Sequence, residues 1–466
     1  MKRQILSTLQ FILIISIFSN TEQLEFWLTD PDAKVFFQQQ PSILPNTNYN
    51  AADNIITINA NEKYQTIDGF GYTLTGGSAL HLHNLDNTLR AQILQELFNT
   101  DKNNIGVSYL RISIGASDLD EKVFSYNDLL PGETDVNMTR FDLGYDRLYL
   151  IPILKEILAI NPNIKLMGSP WSPPIWMKSN KNSIGGTLLA EYYDAYALYL
   201  VRYIEEMKKE GITIDAITIQ NEPLHPGNNP SLLMIATVQA QFIKQSLGPI
   251  FRKHSINTKI IVYDHNADHP DYPVTIFKDH DAKQYVDGSA FHLYAGSIDA
   301  LSTVHEQFPD KNLYFTEQWV GAPGNLKGDL VWHVKNLIVG ATRNWARTVL
   351  EWNVAANSKL EPHTPGGCTQ CLGALTIDGN QILSPRNPAY YIIAHAAKFV
   401  RPNSIRIGSN IVSGLPNVAF QRDNDMKKVL IVVNENNSGK QTFQIQCDDK
   451  IYNTSLNGGS VGTYIC

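Results

Sequence analysis

A chain of 466 residues has room for a barrel of about 250 residues or more and a smaller module beside it. With 38 Lys+Arg against 45 Asp+Glu the formal net charge is −7, and no basic block occurs, which argues against a nucleic-acid partner. Hydrophobic residues at 43% and aromatics at 10% supply ample core, and the many Trp and Tyr side chains suit sugar-stacking surfaces as well as packing.

In chain order, Met1-Lys2-Arg3 precedes Ile5-Leu6 and the apolar run 11–18, a basic start with a short apolar core that resembles a secretory signal peptide over residues 1–20. The run falls short of the ~20 residues a membrane span needs, and no later stretch qualifies. A secreted or otherwise extracytoplasmic protein without a stable span is therefore expected. Ser19-Asn20 lacks a clean small-x-small cleavage pattern, which keeps an uncleaved anchor as the alternative.

Residues 25–28 and 34–37 read as strand pieces, 41–50 as a polar Pro/Asn linker and 56–59 as an exposed alternating strand. Residues 21–64 are thus assigned to N-terminal strands of a side domain. From residue 65 strands alternate with helices. Eight strand candidates lie at 66–71, 108–114, 165–169, 216–222, 259–264, 289–294, 313–317 and 348–353. Helical patterns are clearest at 88–98, 147–160, 191–210, 232–251 and 330–341. Eight such units predict an α/β fold, a (β/α)8 TIM barrel over 65–400, rather than an open sheet. After a last helix at 388–400, strand patterns at 405–407, 418–422, 428–434, 442–446 and 463–465 predict an all-β module over 401–466. Both termini then meet in one β-sandwich side domain.

The chemistry is signalled at Asp215 to Pro223, where a β-branched run ends in Gln220-Asn221-Glu222-Pro223. Pro223 gives no N–H to a ladder and biases Glu222 toward an extended backbone, so the Glu222 carboxylate is expected where the strand stops. The run Leu313-Tyr314-Phe315-Thr316-Glu317 repeats the pattern. Reactive groups of barrels are mounted at strand C-terminal ends, so Glu222 and Glu317 are candidates for the two halves of a hydrolytic site.

Four cysteines are present, Cys368 and Cys371 as a close pair and Cys447 and Cys466 near the end. A zinc site needs two such pairs or added spaced histidines, and a redox pair needs a helix start where 372–379 reads as strand and turn. In an exported chain a local disulfide at Cys368/Cys371 is favoured, with Cys447/Cys466 the candidate for a second. No metal or cofactor is expected.

The ordered set Asp68-Gly69-Phe70-Gly71, Leu110-Arg111-Ile112, Ala116-Ser117-Asp118, Ser169-Pro170-Trp171-Ser172-Pro173-Pro174-Ile175-Trp176, Asn221-Glu222-Pro223, His292-Leu293-Tyr294, Phe315-Thr316-Glu317 and Trp352-Asn353 resembles glycoside hydrolase family 30, of glucosylceramidase type. The resemblance covers nearly the whole chain after the leader. It implies a retaining β-glycosidase with Glu222 as acid/base and Glu317 as nucleophile. It also implies a glycone pocket lined by Arg111, Asp118, Trp171, Asn221, His292, Tyr294 and Trp352. Physically, Arg111 can hold the nucleophile ionised, Asn221 can donate to a sugar hydroxyl, Asp118 can accept from one, and Trp171 and Trp352 offer flat faces.

Each residue has a plainer alternative. Arg111 can be a structural ion-pair partner, His292 and Tyr294 barrel filling, Trp171 a cover over the barrel mouth, and Asp118 a cap for the loop 119–125. Two segments, 72–78 and 361–371, depart from the animal lipid hydrolases. The first reading is a glucosylceramidase-like β-glucosidase acting on a β-glucoside, with a glycolipid as one form of substrate. The alternatives are an endo-β-1,6-glucanase acting on a β-glucan and a non-catalytic carbohydrate-binding barrel.

Overall fold

The computed structural model describes residues 23–46 and 54–466, so the leader-like segment and part of the 41–50 linker lie outside the described residues. Among the described residues no helix is long and apolar enough to cross a membrane. Eight parallel strands close a barrel: β1 Gly69–Leu74, β2 Tyr109–Ser113, β3 Lys165–Ser169, β4 Ala216–Thr218, β5 Lys259–Ala267, β6 Val286–Gly296, β7 Asn312–Glu317 and β8 Ala346–Asn353. β8 pairs back onto β1 through Thr348–Gly69 and Leu350–Gly71. On its other side β1 pairs with β2, and there glycine is required at 71, where an added Cβ would stand 1.9 Å from the Tyr109 carbonyl oxygen.

Strand alternation then sorts the barrel interior into layers. Tyr109, Met167, Ala216, Ile261, Ala290, Tyr314 and Leu350, one from each of β2 to β8, form an apolar cluster of their own. Two residues further along most of these strands, the equivalent positions carry Arg111, Ser169, Thr218, His292, Thr316 and Trp352, all buried. An apolar plug therefore supports a polar layer facing the C-terminal mouth.

A nine-stranded sheet makes the side domain, in the order Val35–Ile43, Leu24–Asp30, Val461–Ile465, Lys428–Val433, Asn417–Gln421, Ile405–Ser409, Ile55–Thr66, Gln441–Cys447 and Lys450–Leu456. It folds over a second core that includes Leu24, Ile56, Leu430, Phe443, Tyr452 and Tyr464. The helix Pro388–Ala397 ties barrel to sandwich. His395 on this helix is buried and hydrogen-bonded through its two ring nitrogens to the hydroxyls of Thr463 and Thr29, each at 2.8 Å.

Several expected boundaries move. The stretch 55–66 is one long sandwich strand, because it pairs with Ile405–Ser409 up to Thr66, so the first barrel strand begins at Gly69 rather than 66. The expected helix 232–251 starts only at Ala236, and both it and 330–341 contain a π-helical turn, at Ile243–Leu247 and Val334–Ala341. Both cysteine pairs are disulfide-bonded, Cys368 to Cys371 and Cys447 to Cys466.

The Cys447–Cys466 bond staples the last sandwich strand across a sequence separation of 19 residues. Replacing both cysteines by alanine should lower unfolding stability by roughly 2–4 kcal/mol, because the unfolded chain regains that loop's freedom. Urea titration of parent and variant measures it, and identical midpoints would show that the bond contributes nothing.

Candidate active site

Arg111 on β2 is the centre of the polar layer. Its guanidinium donates to Glu317 Oε2 at 2.6 Å, Asn221 Oδ1 at 2.6 Å, Asp264 Oδ2 at 2.8 Å and Ser169 Oγ at 3.0 Å. Its carbon lies 4.8 Å from the Trp171 ring centroid and 5.8 Å from that of Trp352, cation–π contacts that hold both indoles against it.

Asp264 binds the layer together from the other side. One carboxylate oxygen accepts from Arg111, Ser169 Oγ (3.2 Å) and Thr218 Oγ1 (2.7 Å), and the other contacts Thr316 Oγ1 (2.6 Å) and His292 Nε2 (3.1 Å). Simple alternation from Ile261 would put Tyr263 here. Instead Tyr263 and Asp264 adopt φ of 73° and 66°, and the β5–β6 register slips between Tyr263 and His265, which re-aims Asp264 inward.

The two glutamates meet over His292. Its Nδ1 lies 3.1 Å from Glu222 Oε1 and 3.9 Å from Glu317 Oε1, which keeps these two carboxylate oxygens within about 7 Å of each other, a bound that admits the ~5–5.5 Å spacing of retaining glycosidases. The Tyr294 hydroxyl donates to Glu317 Oε1 at 2.9 Å. Glu222 does not have the extended backbone expected before proline. β4 stops at Thr218 and Glu222 has φ 44°, held there by its N–H to the Asp264 carbonyl (3.0 Å) and by His225 N–H to its own carbonyl (2.8 Å).

Burial pushes the Glu222 carboxyl up, but the imidazoles of His265 and His292 beside it outweigh burial and hold the group below the usual carboxylate range. For Glu317 burial wins over the pull of His292 and Arg111, and its pKa is raised. Burial disfavours the His292 imidazolium, yet Glu317, Asp264 and Glu222 around it lift its pKa to about 9.

A cavity of about 340 Å³ opens over this cluster, with Asp118, Trp171, Asn221, Tyr294 and Trp352 on its wall together with both glutamates. Arg111 and His292 are fully buried beneath it. The structure thus gathers every residue named from the sequence, with shifted roles for some. Trp171 and Trp352 are 1% and 4% exposed, so their faces are largely spent on Arg111. The Trp171 indole N–H is buried without a protein partner beside the cavity. Asp118 is no loop cap; its Oδ2 accepts the Cys368 N–H at 3.1 Å. The capping acid is Asp120, which accepts from the N–H and hydroxyl of Ser117 at 2.8 and 2.9 Å.

Sequence reasoning passed over Asp264, His265, His225, Asn228, Asn266 and Trp319, the last five on the cavity wall. The strand-end rule that singled out the glutamates also applies at Asp264, which closes the strand candidate 259–264, with His265 next to it.

Comparison with known proteins places these observations in a family context. Residues 67–400 match the glycosyl hydrolase family 30 TIM-barrel domain and residues 403–464 the family's β-sandwich domain. The chain is 35% identical over 409 residues to an endo-1,6-beta-D-glucanase of Aspergillus fumigatus, covering 81% of this chain and 80% of that protein. It is 25% identical over 440 residues to the lysosomal acid glucosylceramidase of Mus musculus, covering 88% and 83%. The solved structure of an endo-beta1,6-glucanase superposes with a TM-score of 0.86 at 33% identity, covering 95% of this chain and 98% of that one.

Burial pushes the Asp120 carboxyl up to about 7 against the donors of Ser117. An unfolded aspartate releases its proton near pH 4, so between about pH 4 and 7 the folded chain binds the extra proton and stability falls as pH rises. Asp120→Asn removes that term. The stability difference between parent and variant should change by roughly 1.4 kcal/mol per pH unit across this window. Urea titrations at several pH values measure it, and a flat difference would contradict the buried acid.

Proposed function

The chain belongs to glycosyl hydrolase family 30, and from that premise we propose that it is a retaining endo-β-1,6-glucanase, with Glu317 as nucleophile and Glu222 as acid/base. The observation that carries the chemistry is the meeting of two strand-end glutamates over one imidazole, with Arg111 and Tyr294 both donating to Glu317. Those two donors hydrogen-bond the ionised form, which is the form that attacks an anomeric carbon. Glu222 receives no such donors from arginine or tyrosine. Its neighbours are the imidazoles of His292, with Nδ1 at 3.1 Å, and His265, with Nδ1 at 3.6 Å. They hold Glu222 ionised in the free chain, so the acid role requires it to take up a proton as substrate enters, and that proton then goes to the departing glycosidic oxygen. The same carboxylate, once ionised, draws a proton from the water that opens the glycosyl-enzyme.

The glucan reading rests on the relatives and on the rim. Endo-1,6-glucanases match at 35% and 33% identity against 25% for the mouse glucosylceramidase. The comparisons therefore favour the alternative drawn from the sequence over its first reading. The rim carries His225, Asn228 and Asn266 beside Trp319. Polar groups alternating with an aromatic face suit the hydroxyls and ring of a further glucosyl unit, whereas paired alkyl chains would call for a continuous apolar surface.

A hydrolysis panel tests the substrate. Linear β-1,6-glucan should yield a ladder of gentio-oligosaccharides at early times, each with a β-configured new reducing end by NMR, while glucosylceramide is cleaved far more slowly. Glucose as the sole early product, or ceramide release at a matching rate, would overturn the endo-glucanase reading.

The acid/base role has its own test. Glu222→Ala should nearly spare glycosyl-enzyme formation from a dinitrophenyl β-glucoside but cripple substrates with poor leaving groups. A burst followed by slow turnover is expected, accelerated by azide with formation of the β-glucosyl azide. Equal losses on good and poor leaving groups, with no azide response, would remove Glu222 from proton transfer.

A further inference from the structure

Glu222, His265 and His292 stand close enough for one ion. The Glu222 Oε1 is 3.1 Å from His292 Nδ1 and 3.6 Å from His265 Nδ1, and the donor atoms of all three residues lie within 4.8 Å of one another. Zinc holds imidazole nitrogen and carboxylate oxygen at about 2.0–2.2 Å in a tetrahedron, which sets neighbouring donors roughly 3.3 Å apart. Two of the three edges already have nearly that length.

Three further features favour a cation. The His265 Nδ1 is buried and has no hydrogen-bond partner, although the residue is only 6% exposed and lies on the cavity wall. His292 holds its other nitrogen on the Asp264 carboxylate at 3.1 Å, the carboxylate–histidine arrangement that orients metal-bound imidazoles. Finally, Asp118, Glu222, Asp264 and Glu317 are all buried around Arg111, so carboxyl groups outnumber guanidinium at the bottom of the cavity.

We propose that Glu222, His265 and His292 form a site for one borderline-soft divalent transition-metal ion, Zn2+ or Cu2+, and that its occupation blocks hydrolysis. The ion would take the Glu222 oxygen and stand where the leaving oxygen of a glycan must come. Ca2+ and Mg2+, which prefer six or more oxygen ligands, would not compete. The inhibitory consequence rests on the acid/base reading of Glu222, whereas the binding site itself does not.

Binding is read without activity. Co2+ titrated into the purified full chain at neutral pH should give the visible ligand-field bands of a tetrahedral centre, and Zn2+ should bind 1:1 by calorimetry and displace it. His265→Phe and Glu222→Gln, each checked for the parental circular dichroism spectrum, should each weaken Zn2+ binding at least about tenfold. Zn2+ should inhibit cleavage of β-1,6-glucan competitively, with full recovery in EDTA and no effect from Mg2+. Absence of 1:1 binding up to millimolar Zn2+, or parental affinity in both folded variants, would overturn the site. Non-competitive inhibition would place the inhibitory ion elsewhere and overturn the blocking role. If Glu222→Ala instead keeps rapid cleavage of poor leaving groups, the acid/base reading falls while the cobalt spectrum still decides the metal site.

Discussion

A guanidinium buried at the centre of a barrel is tolerable only if its donors are used, since an uncompensated buried charge costs several kcal/mol. Arg111 uses them on Glu317, Asn221, Asp264 and Ser169. Its partners come from β3, β5, β7 and the end of β4, so the height of each strand relative to β2 is constrained by one side chain. Asp264 propagates the constraint, for the same carboxylate also fixes Thr218, Thr316 and His292. The two glutamates, with Asn221, are thus the cavity-facing edge of a network whose Arg111, Asp264, Ser169, Thr316 and His292 are fully buried.

How much of this was legible depended on where regular geometry held. Glu222 and Glu317 followed from apolar runs that end in an acid, and the eight strand candidates all fall on barrel strands because βα alternation survives in the pattern of apolar residues. Asp264 was missed because two residues with positive φ break the alternation of β5, so the inward position is shifted by one. The backbone of Glu222 was misread for a related reason. The local preference imposed by Pro223 yields to two hydrogen bonds from the neighbouring β5 end and the following turn. Trp171 and Trp352 were expected as open sugar platforms, and only the position of Arg111 beneath them reveals that their faces are taken. The strand Lys450–Leu456 escaped notice because half of it is polar, although it pairs along its whole length with Gln441–Cys447.

The two segments expected from the sequence to differ from animal lipid hydrolases, 72–78 and 361–371, meet the same wall of the site. Within 72–78, Thr75 caps the helix Gly76–Asn84 and Gly76 lies where any Cβ would stand 1.7 Å from Asp120 Oδ1. Within 361–371, Thr364 N–H donates to the Asp118 carbonyl at 2.9 Å, and Pro365 accepts from the Asn229 side chain at 2.9 Å. The Cys368–Cys371 bond closes that loop beside Asp118 and Trp319. Segments far apart in the sequence therefore meet on one stretch of cavity wall between the β1, β2, β4 and β8 ends, above the polar layer.

The strand order of the sandwich has a consequence for synthesis. Val461–Ile465 lies between Leu24–Asp30 on one side and Lys428–Val433 on the other, so the hairpin of Leu24–Asp30 and Val35–Ile43 gains its inner neighbour only once Val461–Ile465 has been made. The barrel, whose eight strands pair with partners made before residue 354, can close while the sandwich edge still waits. In order of synthesis, all the barrel's strand partners are thus available before those of the side domain. Until Val461–Ile465 is made, the strand Leu24–Asp30 has its outer neighbour Val35–Ile43 but an open inner edge, the kind of unpaired edge that folding helpers bind.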